Sequence, residues 1–133
     1  TMANALSIMG HEKTLVVHSH DGLDEISLSG PTYTRLVEGE SVSELVLTPE
    51  EFGLPRCSLA DLKGGDAREN ADILRKIFAG ERSPRANCVL FNAGVALWLA
   101  DKTNSIEEGI QTVRSVQESG KALEFINRLS EVK

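Results

Sequence analysis

Strand-forming sequence in this chain is confined to the stretch before Thr48, and everything after it is patterned for helix or turn. Thr14 to Val17 (Thr-Leu-Val-Val) is a short β-prone run entered from a helical segment, the pattern of a buried strand in an α/β unit. Two further runs, Tyr33 to Val37 and Val42 to Leu47, flank Glu38-Gly39-Glu40 and read as a β-hairpin. This order limits the fold. Parallel strands are normally joined by βαβ crossovers, and no crossover sequence separates these runs. Either the sheet is mostly antiparallel, or further strands belong to sequence upstream of Thr1. The second is our expectation, because the chain opens inside an element. Met2, Ala5, Leu6 and Met9 are spaced for a helix that stops at Gly10, with no room for a cap before Thr1. The expected fold class is α/β: a mixed sheet fragment with a hairpin, packed by several helices.

The helical half is punctuated by local signals. Thr48-Pro49-Glu50-Glu51 combines an N-cap, a proline at the first helical position and a capping-box glutamate, and Pro55 ends that short turn. Leu62-Lys63-Gly64-Gly65 is a loop, after which Asp66 caps a helix with Ala67, Ala71, Leu74 and Phe78 on one face beside Ile73 and Ile77. Ala86 to Ala100 is apolar nearly all round and predicts a central buried helix. Ser105 with Glu108 opens another helix that runs to Ser119, where Gly120 breaks it. Lys121 to Val132 is a last amphipathic helix with Leu123, Ile126 and Leu129 inward.

Composition then removes several classes of function. A chain of 133 residues supports one domain with one core. The net charge of -6 opposes generic nucleic-acid binding and an anionic membrane surface alike. It leaves room for a phosphorylated small molecule whose charge is balanced by metal ions. Cys57 and Cys88 share no metal-like spacing and are expected as reduced thiols. The apolar run from Cys88 to Ala100 is too short to cross a bilayer, so a cytoplasmic protein is expected.

Chemistry concentrates in one place. Val17-His18-Ser19-His20-Asp21-Gly22-Leu23-Asp24-Glu25-Ile26-Ser27 sets three carboxylates in a loop directly after a strand, and ligands of open α/β sheets sit at strand C-terminal ends. Adjacent Asp24 and Glu25 repel one another unless a cation lies between them, and magnesium is usually held by one or two carboxylates together with substrate phosphates. By spacing alone the commoner reading is a solvated acidic turn. His18 and His20, at alternate positions, flank a strand end more readily than they ligate zinc. Gly64-Gly65-Asp66 could present N–H groups to an anion, but a tight turn with Asp66 as N-cap is the simpler reading. No serine sits in a nucleophile-elbow context, and a buried Asn92 would need a hydrogen-bond partner.

The residues in this order resemble the anthranilate phosphoribosyltransferases. The likeness runs through Leu15-Val16-Val17-His18-Ser19, Asp21-Gly22-Leu23-Asp24-Glu25-Ile26-Ser27, Gly30-Pro31-Thr32 and Leu47-Thr48-Pro49-Glu50-Glu51-Phe52-Gly53-Leu54. It continues in Gly64-Gly65-Asp66-Ala67, Glu69-Asn70-Ala71, Ala79-Gly80-Glu81, Asn92-Ala93 and Ser119-Gly120-Lys121-Ala122. The resemblance implies transfer of a phosphoribosyl group from phosphoribosyl pyrophosphate to anthranilate in tryptophan biosynthesis, with Mg2+ as cofactor. It implies that Asp24 and Glu25 hold one magnesium ion. The family's Gly-rich pyrophosphate loop, its Lys-His-Gly-Asn segment and its N-terminal helical domain have no counterpart here. Residues 1–133 are therefore expected to be the C-terminal portion of the α/β domain, with no catalytic or cofactor-contacting residue beyond the metal pair. Such a piece is expected to be inactive alone and prone to self-association, and the intact enzyme to be a homodimer. A pyrimidine nucleoside phosphorylase or another relative of this fold is an alternative, as is a non-catalytic binding protein. The Asp21-to-Ser27 run weighs against the first, and the charge and the Asp24-Glu25 pair against the second.

Overall fold

The computed structural model describes residues 2–130. Helix α1 (Met2–Ile8) leads into strand β1 (Lys13–Ser19), followed by β2 (Thr32–Glu38) and β3 (Ser41–Leu47). A 3-10 turn (Pro49–Phe52) then opens a helical half made of α2 (Leu59–Leu62), α3 (Ala67–Phe78), α4 (Pro84–Leu99), α5 (Ile106–Glu118) and α6 (Lys121–Ser130). The α/β class expected from the sequence holds. Antiparallel pairing is the arrangement seen within this chain: β2 lies between β1 and β3, with Val17 opposite Thr34 and Tyr33 opposite Val46. The outer edge of β1 pairs with no strand among the described residues.

The sheet presents two unlike faces because side chains alternate along each strand. Leu15, Val17, Leu45 and Leu47 turn toward α4 and join the main core with Ile26, Leu28, Leu90, Phe91, Val95, Ile106 and Ile110. Phe52 and Phe91 meet there with ring centroids 5.1 Å apart and planes tilted by 48°. On the other face α1 packs across the strands, where Val37 and Ala3 are both buried. Beyond α1, Tyr33 and Val46 stay exposed.

Helix α4 is the axis of the helical half, as its apolar sequence predicts. It begins two residues before the predicted start, at Pro84, with the Ser83 hydroxyl accepting from Ala86 N–H. It packs most closely on α5, through two glycines. A Cβ placed on Gly109 would lie 2.3 Å from the carbonyl oxygen of Gly94, and one on Gly94 would lie 2.7 Å from the backbone nitrogen of Ile110. The helices therefore touch backbone to backbone.

The capping signals are realised in detail. Asp66 accepts from Arg68 and Glu69 N–H, each at 2.9 Å, and Glu69 returns a bond to Asp66 N–H at 3.0 Å. Ser105 Oγ accepts from Glu108 N–H, but the Glu108 carboxylate reaches one residue further back, to the backbone and side-chain nitrogens of Asn104. Helix α2, capped at Ser58, lies where the sequence was read as connection; its single turn is too short to show a period. The amphipathic faces of α3 and α6 need correction. In α3, Ile77 is buried while Ala67 and Leu74 are exposed. In α6, where the helix rests on α3 and α5, Leu123 and Ile126 are half-buried as expected, but Leu129 is 50% exposed. The end predicted for the last helix, at Val132, lies outside the described residues.

Candidate functional site

The loop between β1 and β2, residues 20–31, is held by its own polar groups. Gly22 turns the chain with φ of 89°, a left-handed conformation that other residues resist. Its N–H donates to Ser19 O, while Ser19 N–H donates to Leu23 O and His20 N–H to Pro31 O. At the centre is Asp21. Its Oδ1 accepts from Leu23 N–H at 3.1 Å; its Oδ2 accepts from Ser27 Oγ at 2.6 Å and also from Ser29 Oγ. Burial works against ionisation of Asp21. The hydroxyls of Ser19, Ser27 and Ser29 and the Leu23 N–H outweigh it and hold the carboxyl well below the usual carboxylate range. Ser19 contributes from outside hydrogen-bonding geometry, since its buried Oγ makes no hydrogen bond. Ser27 N–H donates to Thr32 Oγ1, tying the end of the loop to the start of β2.

The far side of the loop is anchored by α4. Asn92 Oδ1 accepts from Ile26 N–H at 3.0 Å, and its Nδ2 donates to Ile26 O at 2.8 Å. The same Nδ2 donates to Cys88 O at 3.1 Å. The partner that a buried Asn92 requires is therefore the backbone immediately after Glu25. Ile26 and Leu28 plug the core on either side of Ser27, at 3% and 0% exposure.

Between these two anchors Asp24 and Glu25 stand exposed, and neither enters an ion pair or hydrogen bond among the described residues. Glu25 borders an open cleft of about 360 Å³ shared with Gly64, Asn70, Arg85 and Cys88. The Cys88 thiol is pushed up to about 11, first by its own burial and then by the Glu25 carboxylate. Both cysteines are free thiols, as expected.

This donor set can be tested against magnesium. No cluster of three or more His, Cys, Asp or Glu side chains fit to hold a metal occurs among the described residues. A closed zinc site needs four protein ligands, so the histidines supply none: His18 lies opposite Tyr33 on the strand, and the His20 ring lies against Gly30. Two adjacent, solvated carboxylates on a fixed backbone do fit magnesium, which keeps waters and shares substrate phosphates.

The Gly64-Gly65-Asp66 turn is no anion cradle. Gly65 N–H is taken by Asn70 Oδ1 at 2.9 Å and Asp66 N–H by Glu69. Arg85 Nη2 donates to Lys63 O at 2.7 Å and pins the same turn to α4. Sequence reasoning found the acidic pair but missed the hydroxyl set that builds its loop. The signal was present in Ser27-Leu28-Ser29-Gly30-Pro31-Thr32, directly after the carboxylates.

Residues 1–123 match the family described as the glycosyl transferase family, a/b domain, and the chain belongs to it. Within that class the similarity points one way. The chain is 45% identical over 132 residues to the anthranilate phosphoribosyltransferase of Rubrobacter xylanophilus, covering 98% of this chain and 39% of the relative. It is 42% identical over 128 residues to that of Desulfitobacterium hafniense, covering 96% and 38%. The crystal structure of the Thermus thermophilus enzyme superposes with a TM-score of 0.81 at 40% identity, covering 96% of this chain and 37% of that one. The Saccharomyces cerevisiae enzyme in complex with PRPP and Mg gives 0.79 at 28% identity, covering 90% and 36%. The chain thus spans less than two fifths of the length of these relatives.

Proposed function

We propose that this chain is the C-terminal portion of the α/β domain of an anthranilate phosphoribosyltransferase, which joins the phosphoribosyl group of phosphoribosyl pyrophosphate to the amine of anthranilate in tryptophan biosynthesis. The observation that carries the reading is a pair of adjacent, exposed, unpaired carboxylates on a doubly anchored loop, in a chain 45% identical to such an enzyme. Asp24 and Glu25 hold magnesium. The metal, when bound with the diphosphate, neutralises charge that develops on the leaving group. The chain's own part is to keep two adjacent negative charges fixed, with Glu25 at the edge of the cleft. The Asp21 network does so on one side and the Asn92 contact on the other, so that little reorganisation is left for the moment of transfer.

A Mg-and-PRPP complex of the yeast relative supports this assignment, as does a complex of the same relative with 4-fluoroanthranilate. No helix among the described residues is long and apolar enough to cross a membrane, in keeping with a cytoplasmic biosynthetic enzyme. The intact enzyme is a homodimer, and the isolated chain is inactive and self-associates through apolar surface such as Tyr33, Val46, Phe125 and Leu129.

The test is phosphoribosyl transfer by the intact protein, followed as loss of anthranilate fluorescence with phosphoribosyl pyrophosphate and magnesium. Asp24→Asn/Glu25→Gln and the isolated chain run alongside. Activity in the parent with a large loss in the double variant is the expected result. An inactive parent moves the function to another substrate.

A further inference from the structure

The clearest feature not explained by the fold alone is the way α4 grips the loop. Asn92 sits on a helix whose other inward positions, Cys88, Phe91 and Val95, are apolar and packed in the core. Asn92 is half-buried there, and the part of a polar amide taken from water is costly unless its donors and acceptors are met. Here the amide meets the Ile26 backbone in both directions, at 3.0 and 2.8 Å. The contact is bidentate, so it fixes the orientation of the Ile26 peptide unit as well as its position. A leucine at this place would fill the volume and serve the core. An asparagine serves the peptide next to Glu25.

Among the described residues, Asn92 makes the strongest side-chain attachment of the loop next to its carboxylates. The Asp21 network ends at Leu23 on one side and at Ser27 and Ser29 on the other. Between Leu23 and Ser27, among the described residues, the backbone groups held by a side chain are those of Ile26: Asn92 holds both, and the Cys88 thiol adds a longer contact of 3.9 Å to the same carbonyl. Without that grip, the Ile26 peptide would lose its two strongest hydrogen bonds, leaving its orientation to the buried side chain and the longer Cys88 contact.

We infer that Asn92 is a positioning residue for the Asp24-Glu25 metal pair: it acts through the Ile26 peptide, and touches neither substrate nor metal itself. The inference rests on the magnesium role given to the pair above. Outer groups that orient metal ligands are worth about 10- to 100-fold in metal affinity or activity. The same scale applies here, directed at the metal and not at the acceptor substrate.

The experiment uses the intact enzyme and compares two lesions of like size. Asn92→Ala removes a side chain that bonds two backbone groups of Ile26. Gln117→Ala removes a buried amide that donates to the carbonyls of Ile77 and Glu81 and makes no hydrogen bond to the Asp24-Glu25 loop. Magnesium affinity is read as the apparent activation constant and independently by Mn2+ binding in the presence of phosphoribosyl pyrophosphate. Asn92→Ala is expected to raise both constants by about 10-fold or more, with the anthranilate KM at saturating metal unchanged, while Gln117→Ala leaves the metal constants alone. Equal metal constants in the parent and Asn92→Ala overturn the inference, as does an equal rise in Gln117→Ala. Should Asn92→Ala not fold, Asn92→Gln decides. It keeps donor and acceptor one methylene further out, and an unchanged metal constant there is equally fatal. A parent that binds no Mn2+ overturns the magnesium assignment together with this inference, whereas a parent that binds with unaltered variants overturns this inference alone.

Discussion

Gly109→Ala offers a measurement in which two known effects oppose one another and the structure decides between them. An alanine in a helix interior is favoured over glycine by about 1 kcal/mol. Against that stands the contact with α4, where the new Cβ would lie 2.3 Å from Gly94 O and 2.9 Å from Gly94 C. Non-bonded carbon atoms settle at roughly 3.5–4.0 Å, so the two helices would have to part by about 1 Å. The obstructing atoms are backbone, and no rotamer change can relieve them. Overpacking of this kind costs about 1–3 kcal/mol and sometimes more, and with backbone on both sides the upper end applies. The net expectation is a destabilisation of about 2 kcal/mol. With a urea m-value of about 2 kcal/mol/M, that lowers the unfolding midpoint by about 1 M. Equilibrium urea unfolding followed by far-ultraviolet circular dichroism checks it, with Gly94→Ala as the reciprocal variant. An unchanged or raised midpoint would mean that α4 and α5 are not in backbone contact, and the helical packing described above would be wrong.

The remaining predictions concern the loop and the thiols. Asp21 has its folded pKa lowered, so its contribution to stability is fully present above the ordinary aspartate value of roughly 4 and is lost as pH falls through the lowered folded value. Asp21→Asn should therefore lower the urea midpoint at pH 7 and flatten the acid limb below about pH 4; parallel limbs for parent and variant would remove Asp21 from the centre of the network. Cys57 is half-buried and Cys88 is 8% exposed with its thiol pushed up to about 11, so at pH 8 a disulfide-exchange reagent should label Cys57 slowly and Cys88 only on unfolding. Rapid reaction at Cys88 would show that α4 opens readily. The isolated chain should sediment as a concentration-dependent mixture, and Phe125→Glu/Leu129→Glu should shift it toward monomer; a monomeric parent chain would count against exposed apolar surface as a driver.

What could be read in advance follows the range of the forces involved. The Asp66-to-Glu69 box and the Thr48-Pro49 turn are contacts within four residues, and their residue types announce them wherever they fall. The hairpin was legible for the same reason, with its turn at Gly39 and its strands immediately on either side. Pairing between β1 and β2 was not. It depends on the path of the intervening loop, which is set by Asp21 and three serines acting across up to eight residues. Leu129 carries the periodicity of a buried face and stands half in the open, because period reports which side a helix could bury and not whether anything covers it. At the site, the acidic pair was visible as composition. Its support was not, because Asn92 reads as an oddity in an apolar helix until the chain has folded back onto it.

That fold-back carries a consequence for the order of events during folding. Asn92 and Ile26 are 66 positions apart in the chain, so closing their contact requires a long loop to be ordered first. Local structure, including the capped helices and the hairpin, can form and dissolve without it. The loop can acquire its final shape only after α4 has docked against the sheet. On the magnesium role proposed for Asp24 and Glu25, divalent-cation affinity would then be a late-arriving property in refolding, trailing the recovery of helical signal. A peptide spanning β1 and its loop alone would carry the same carboxylates and the Asp21 network, without the Asn92 anchor.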